Sequence, residues 1–222
     1  SNRSKRSIVV DLKKAEGQAI LRSLLKDTDV LLHSLRTPAA NKLGLDYETL
    51  KQINPSIVYC HVTGYSDEGA YAGRPAYDDI GQAASGLAQL QTAVAGQPRF
   101  MPSIFADKIG ALHASIGMLA AIAHRTATGQ GQQVEVPMFE SLVAFNMAEH
   151  QWGFCFDPPI GPMGYQPVST AARRPYKTKD GYLALLPYSD ANWRSLFELA
   201  GEPQIMDDPR FSTFAARQKH FR

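Results

Sequence analysis

Runs of apolar residues separated by stretches of helical spacing constrain this chain most. Residues 29–35 (DVLLHSL) and 56–63 (SIVYCHVT) are nearly continuous in apolar character, and residues 7–12 (SIVVDL) have the same look. A strand apolar on both faces is buried on both, as in a parallel sheet covered by helices. Between these runs, Ala15, Ala19, Ile20, Leu24 and Leu25 give residues 15–26 helical spacing. Residues 46–54 read as a short helix that stops before Pro55. Strands alternating with helices predict an α/β fold with a doubly wound, mostly parallel sheet. Ligands on such sheets bind outside the carboxyl ends of the strands.

Further along, residues 64–75 form a loop rich in Gly, Ser and Asp, residues 77–91 a helix and residues 93–102 a connector. A long helix then runs past Asp107 to about residue 128, where Thr128-Gly129-Gln130-Gly131 supplies a glycine stop. Residues 132–136 read as a strand and residues 139–152 as a helix. Residues 157–167 hold four prolines and two glycines, the composition of a linker or lid. A hairpin over residues 174–188 turns at Lys179-Asp180-Gly181, and a helix follows at residues 192–200. The expected division is a large domain over residues 1–156, a linker over 157–172 and part of a smaller α+β domain over 173–222.

A length of 222 residues allows one large domain plus part of another. A net charge of +2 favours no strong class of partner; the scattered basic residues and the lack of a recognition motif speak against nucleic acid. Arg3, Lys5 and Arg6 read as a solvated basic face. Two cysteines, Cys60 and Cys155, make no disulfide framework, so a reducing cytoplasm is the expected location. The six histidines show no metal-ligand spacing, and no metal is expected. No apolar run is read as approaching the ~20 residues that span a membrane, and no membrane partner or signal peptide is expected. The chain lacks an initiator Met and opens into an apolar run, so it reads as an internal fragment.

Asp107 stands out as a lone carboxylate opening an apolar helix lined with Gly110, Ala111, Ala114, Ser115 and Gly117. An acid there feels the positive end of the helix dipole and meets unpaired N–H groups. Small residues behind it admit other segments closely, so the position suits a carboxylate nucleophile in a dry site. A helix-capping aspartate is the alternative for the same residue.

Several segments in order resemble the class III CoA-transferases, the CaiB/BaiF family that includes formyl-CoA transferase. They are Asn2-Arg3-Ser4-Lys5-Arg6-Ser7 with Val10-Asp11-Leu12-Lys13, Leu43-Gly44-Leu45-Asp46-Tyr47, Asn54-Pro55-Ser56-Ile57-Val58, Arg74-Pro75-Ala76-Tyr77-Asp78, Gln82-Ala83-Ala84-Ser85-Gly86, the Asp107 helix with Arg125, and Asp208-Pro209-Arg210-Phe211. The resemblance implies a Rossmann-like large domain, an interlocked homodimer, and transfer of CoA from an acyl-CoA thioester to a small carboxylic acid. It implies no permanently bound cofactor; coenzyme A enters as the acyl-CoA substrate.

By the same resemblance, Asp107 matches the catalytic aspartate, which forms an aspartyl anhydride and then an aspartyl-CoA thioester. Tyr77 and Asp78 match positions beside the reacting carbonyl. Val10, Lys13, Ser34, Leu35, Lys42, Leu43 and Met138 match CoA-contacting positions, with Ser34-Leu35 standing where the family often has Asn-Phe. Arg36 is a further phosphate candidate, Gln82 reads as packing, and the stretch over residues 160–167 corresponds to a glycine-rich lid. Arg173 and Arg174 read as a basic turn. An acyl-CoA racemase of the same fold is the alternative activity. It needs a His-Asp pair upstream, and Tyr77 stands in the His place, where a tyrosine is a poor proton shuttle at neutral pH. A non-catalytic CoA-binding protein is the other alternative.

Overall fold

A computed structural model of the chain describes residues 3–220. Asn2 of the resemblance and the end residues of the two expected domains lie outside the described residues. The chain divides into two compact units, residues 3–89 with 100–148 and residues 90–99 with 149–220.

The first unit is a three-stranded parallel sheet with helices on both faces. In chain order its elements are α1 (Ala15–Leu25), β1 (Val30–His33), α2 (Thr37–Lys42), α3 (Tyr47–Ile53), β2 (Val58–Thr63), α4 (Asp78–Ala84), α5 (Leu87–Leu90), which runs into the second unit, α7 (Phe105–Thr128), β3 (Gln132–Pro137) and α8 (Met138–His150). The short α6 (Thr92–Ala95) falls in the second unit. The strand order is β1-β2-β3, with His33 opposite His61 and Cys60 opposite Val134. The central strand is buried on both faces, because Val58, Tyr59, Cys60 and His61 are each at most 3% exposed.

Strand alternation sorts the core into two layers. Ile57 and Tyr59 join Leu25, Ala40, Leu45 and Leu50 under α1, α2 and α3. Cys60, Val62, Val134 and Val136 face Ala114 and Met118 of α7. That helix sits tight on the sheet, since a Cβ on Gly117 would lie 2.7 Å from Cγ1 of Val134. By length and composition α7 is also able to cross a membrane, which corrects the reading that no apolar run approaches that length. Its buried Ala106, Ile109, Gly110, Ala114 and Ala121 form the stripe that packs inward. Asn54 closes the junction of α1 with β1. Its Nδ2 donates to the carbonyls of Leu25 and Thr28, and its Oδ1 accepts from the Ser56 N–H.

Two expected elements differ. Residues 7–12 form no strand: Val9 is 99% exposed and Ile8 66% exposed. A strand exists only where a neighbour completes its ladder, and no strand among the described residues pairs with this run. The helix expected over residues 77–91 breaks at Gly86, whose φ of +82° is left-handed, so α4 and α5 are separate. α2, α10 (Phe214–His220) and the 3-10 turns at Trp152–Cys155 and Pro203–Asp207 were not read from the sequence.

In the second unit, β4 (Tyr176–Lys177) and β5 (Tyr182–Leu183) pair antiparallel, with α9 (Asp190–Leu199) after them. A reciprocal Ser189–Asn192 capping box opens α9. The buried Arg217 of α10 pairs with Asp190 and lies over the Trp193 ring. The proline-rich stretch is tied back at three points. Ile160 N–H donates to Gly153 O at 3.0 Å, Gly164 N–H to His150 O at 2.7 Å, and Tyr165 N–H to His150 Nδ1 at 3.1 Å.

Candidate active site

A cavity of about 1020 Å³ opens in the first unit beyond the carboxyl ends of β1 and β2. This is where a parallel sheet with helices on both faces presents loop backbone and strand-end side chains together. Its wall is built from Leu32–Arg36, Val62–Tyr65 with Asp67, Gly73–Asp78, one face of α7 from Asp107 to Met118, and Met138. The size suits a large ligand, at the upper end of the ~300–1000 Å³ usual for small-molecule sites.

Asp107 is the third residue of α7, a helix whose N-cap, Ile104, supplies no side-chain bond. The capping group comes from another element: the Asp107 N–H donates to Oδ1 of Asp78 at 3.1 Å. Asp78 is the first residue of α4, and its other oxygen, Oδ2, accepts from Nε2 of Gln82 at 2.6 Å. Gln82 is fully buried and also donates to the Ser103 carbonyl at 3.2 Å and accepts the Met101 N–H at 2.8 Å. It therefore fixes Asp78 and the entry to α7 in one step.

The Asp107 carboxylate itself makes no hydrogen bond or ion pair among the described residues and lies exposed on the cavity wall. Partial burial, and then the Asp78 charge beside it, push its pKa above the usual aspartate value. Asp107 is thus not an N-cap satisfied by its own helix, and the dry surroundings expected for it are not built by the described residues alone. Tyr77, at the N-cap of α4, is 75% exposed and also lines the cavity. Met138 closes the wall behind Asp107: a Cβ on Gly110, one turn along, would meet Cγ of Met138 at 3.0 Å.

Seven of the residues expected from the sequence, Ser34, Leu35, Arg36, Tyr77, Asp78, Asp107 and Met138, thus lie on one cavity wall. Val10, Lys13, Lys42 and Leu43 do not line it. Leu43 packs against the core under α1 and α3, while Lys13 and Lys42 are exposed. The segment of Val10 and Lys13 is joined to that of Lys42 and Leu43, because Nε2 of Gln18 donates to both Leu12 O and Leu43 O. Sequence reasoning missed His33, Arg74 and Asp67 on the wall, and took Gln82 for packing.

The match to known proteins now decides the family. The description "CoA-transferase family III" fits residues 1–222. The chain belongs to CoA-transferase family III. A family relative from Agrobacterium fabrum, named succinate–glutarate CoA-transferase, is 33% identical over 222 residues, covering 99% of this chain and 55% of the relative. Formyl-CoA:oxalate CoA-transferase of Escherichia coli is 27% identical over 241 residues, covering 99% of this chain and 58% of that protein. Among solved structures, a CaiB/BaiF family protein from Brucella suis is similar with a TM-score of 0.79 at 31% identity, covering 99% of this chain and 58% of that one. A hypothetical protein from Mycobacterium tuberculosis of known crystal structure is similar with a TM-score of 0.84 at 26% identity, with 99% of this chain and 59% of that one covered. This family III chain spans just over half the length of the relatives it matches.

Proposed function

We propose that the chain carries the nucleophile of a CoA-transferase that moves CoA from an acyl-CoA to a small carboxylic acid. The observation that carries this reading is the Asp107 carboxylate on a large cavity, without a hydrogen-bond or ion-pair partner among the described residues and held beside Asp78 with its pKa raised. A raised pKa means a more basic, more nucleophilic carboxylate in its ionised form.

In the proposed cycle an Asp107 oxygen attacks the thioester carbonyl, and CoA leaves as thiolate from a mixed aspartyl anhydride. The thiolate then attacks the Asp107 carbonyl, expelling the donor acid and leaving an aspartyl-CoA thioester. The acceptor carboxylate attacks that thioester, forming a second anhydride and freeing the thiolate again. Thiolate attack on the acceptor's carbonyl yields the new acyl-CoA and restores Asp107. No water or redox partner is consumed, so thioester energy is conserved only while water is excluded. In this reading the bound CoA covers the exposed Asp107. Tyr77 steadies the reacting carbonyl, and Ser34 and Leu35 receive part of the CoA.

An interlocked homodimer belongs to the same proposal. The outer face of α7, with Leu112 59%, Ile116 65% and Leu119 67% exposed at helical spacing, supports a partner surface there. A cytoplasmic location rests on two unbridged cysteines. A racemase would need a proton shuttle where Tyr77 stands, and tyrosine titrates near pH ~10. The test is intact-protein mass spectrometry after incubation with acyl-CoA and hydroxylamine. A hydroxamate on Asp107, absent from Asp107→Ala, supports the transferase; turnover without it refutes the mechanism.

A further inference from the structure

Beyond β1 the cavity wall bends through Ser34-Leu35-Arg36 into α2. Both backbone polar groups of Leu35 are held by histidine rings. The Leu35 N–H donates to Nδ1 of His33 at 3.2 Å, and the Leu35 carbonyl accepts from Nε2 of His61 at 2.7 Å. An N–H only donates, so Nδ1 of His33 is unprotonated and its proton sits on Nε2, 2.6 Å from the Tyr59 hydroxyl. A carbonyl only accepts, so His61 carries a proton on Nε2.

The arrangement follows from the register. His33 and His61 are opposed on adjacent parallel strands, so both side chains leave the same face of the sheet, and their rings stack at 4.5 Å. His61 is 2% and Tyr59 3% exposed, so the clamp is anchored in the core. Its outer end is not: Leu35 is 38% and Leu32 53% exposed, apolar side chains turned to open space at the cavity.

We propose that His33 and His61 are positioning residues that hold the Leu35 bend in the shape that receives the acyl-CoA, so that the loop is ordered before the ligand arrives. The inference rests on the cavity being the acyl-CoA site. A loop already bent loses little freedom on binding, so the clamp acts on affinity for acyl-CoA and leaves the chemistry at Asp107 unchanged.

The test compares wild type with His33→Leu, His61→Leu, His33→Asn and His61→Gln. The Asn Oδ1 falls near the place of Nδ1 and can accept from Leu35 N–H. The Gln amide falls near Nε2 and can donate to Leu35 O. Calorimetry with CoA gives affinity, steady-state transfer gives KM and kcat, and amide exchange reads the Leu35 N–H. Each leucine variant is expected to weaken CoA binding and raise KM for acyl-CoA about three- to tenfold, the size of one or two net hydrogen bonds. Values of kcat should stay within about twofold, and the Asn and Gln variants should recover most of the loss. Leu35 N–H exchange should quicken in His33→Leu and be slow again in His33→Asn. Unchanged KM in the leucine variants, no recovery in the conservative ones, or a fall confined to kcat overturns the inference while the function stands. Wild-type protein that neither binds CoA nor transfers it overturns both.

Discussion

Replacing Gln82 by leucine changes little volume but removes three hydrogen bonds from a side chain with no solvent exposure. Two of these bonds are neutral and contribute about 1 kcal/mol each, while the one to the Asp78 carboxylate is charge-assisted and contributes about 1.5–3 kcal/mol. Ser103 is exposed and Asp78 only half-buried, so water rescues part of the loss. The expected cost is about 3 kcal/mol, or a fall in Tm of roughly 6–12 °C for a chain of this size. Gln82→Glu is the control. It keeps the acceptor for Met101 N–H but sets a second carboxylate against Oδ2 of Asp78. Its pKa is then raised by the like charge, so the variant is least stable at neutral pH and recovers as the pH falls towards protonation. Urea unfolding at pH 5 and pH 8 reads both effects. A Gln82→Leu loss below about 1 kcal/mol, or a Gln82→Glu protein as stable as wild type at pH 8, would refute the strut.

Three further outcomes follow from the same geometry. Asp78 raises the pKa of Asp107, and the nucleophile must be ionised, so Asp78→Asn is expected to shift the acid limb of kcat/KM to lower pH; an unmoved limb contradicts the coupling. Gly117→Ala places a methyl 2.7 Å from Val134 Cγ1. It should destabilise by about 1–2 kcal/mol despite a helix preference for alanine of about 1 kcal/mol, and a stabilised variant would show looser packing of α7 on the sheet. His33, lowered to about 4 by burial and then by His61, stays neutral in the folded chain while the unfolded chain protonates near 6.5. Its contribution to stability is present above pH 6.5 and is lost as pH falls through the window down to about 4. Half-burial cuts the full shift of about 3 kcal/mol to about 1–2 kcal/mol. Tyr59 and His61 from β2 pack against its ring, and Asp46 and Asp67 act on Tyr59, so His33→Asn should flatten the urea-midpoint profile in that window but not below it.

The first two strands were legible because they are apolar on both faces, and Val30–His33 and Val58–Thr63 fall where that pattern runs, whereas Gln132–Pro137 alternates polar residues with Val134 and Val136. The same pattern misled at residues 7–12, because pairing is a property of neighbours and not of a segment. Asp107 was conspicuous as one acid in an apolar helix, but its capping by Asp78 links residues 29 positions apart and is invisible to local spacing. Gln82 looked like packing because it is buried; two of its three partners, Ser103 and Met101, lie on another segment. The histidine clamp depends on His33 and His61 sharing a register, which no single-strand pattern reveals. Val10, Lys13, Lys42 and Leu43 came from resemblance, and the structure ties their segments together through Gln18 away from the cavity wall.

The central claim is that an Asp107 oxygen changes hands during transfer. An acceptor acid labelled with oxygen-18 in its carboxylate should leave one labelled oxygen on Asp107 after a single turnover, read by mass spectrometry of the peptide around residue 107. Label on Asp107 that requires both donor acyl-CoA and acceptor is the expected result. Product acyl-CoA formed while Asp107 stays unlabelled would contradict the account.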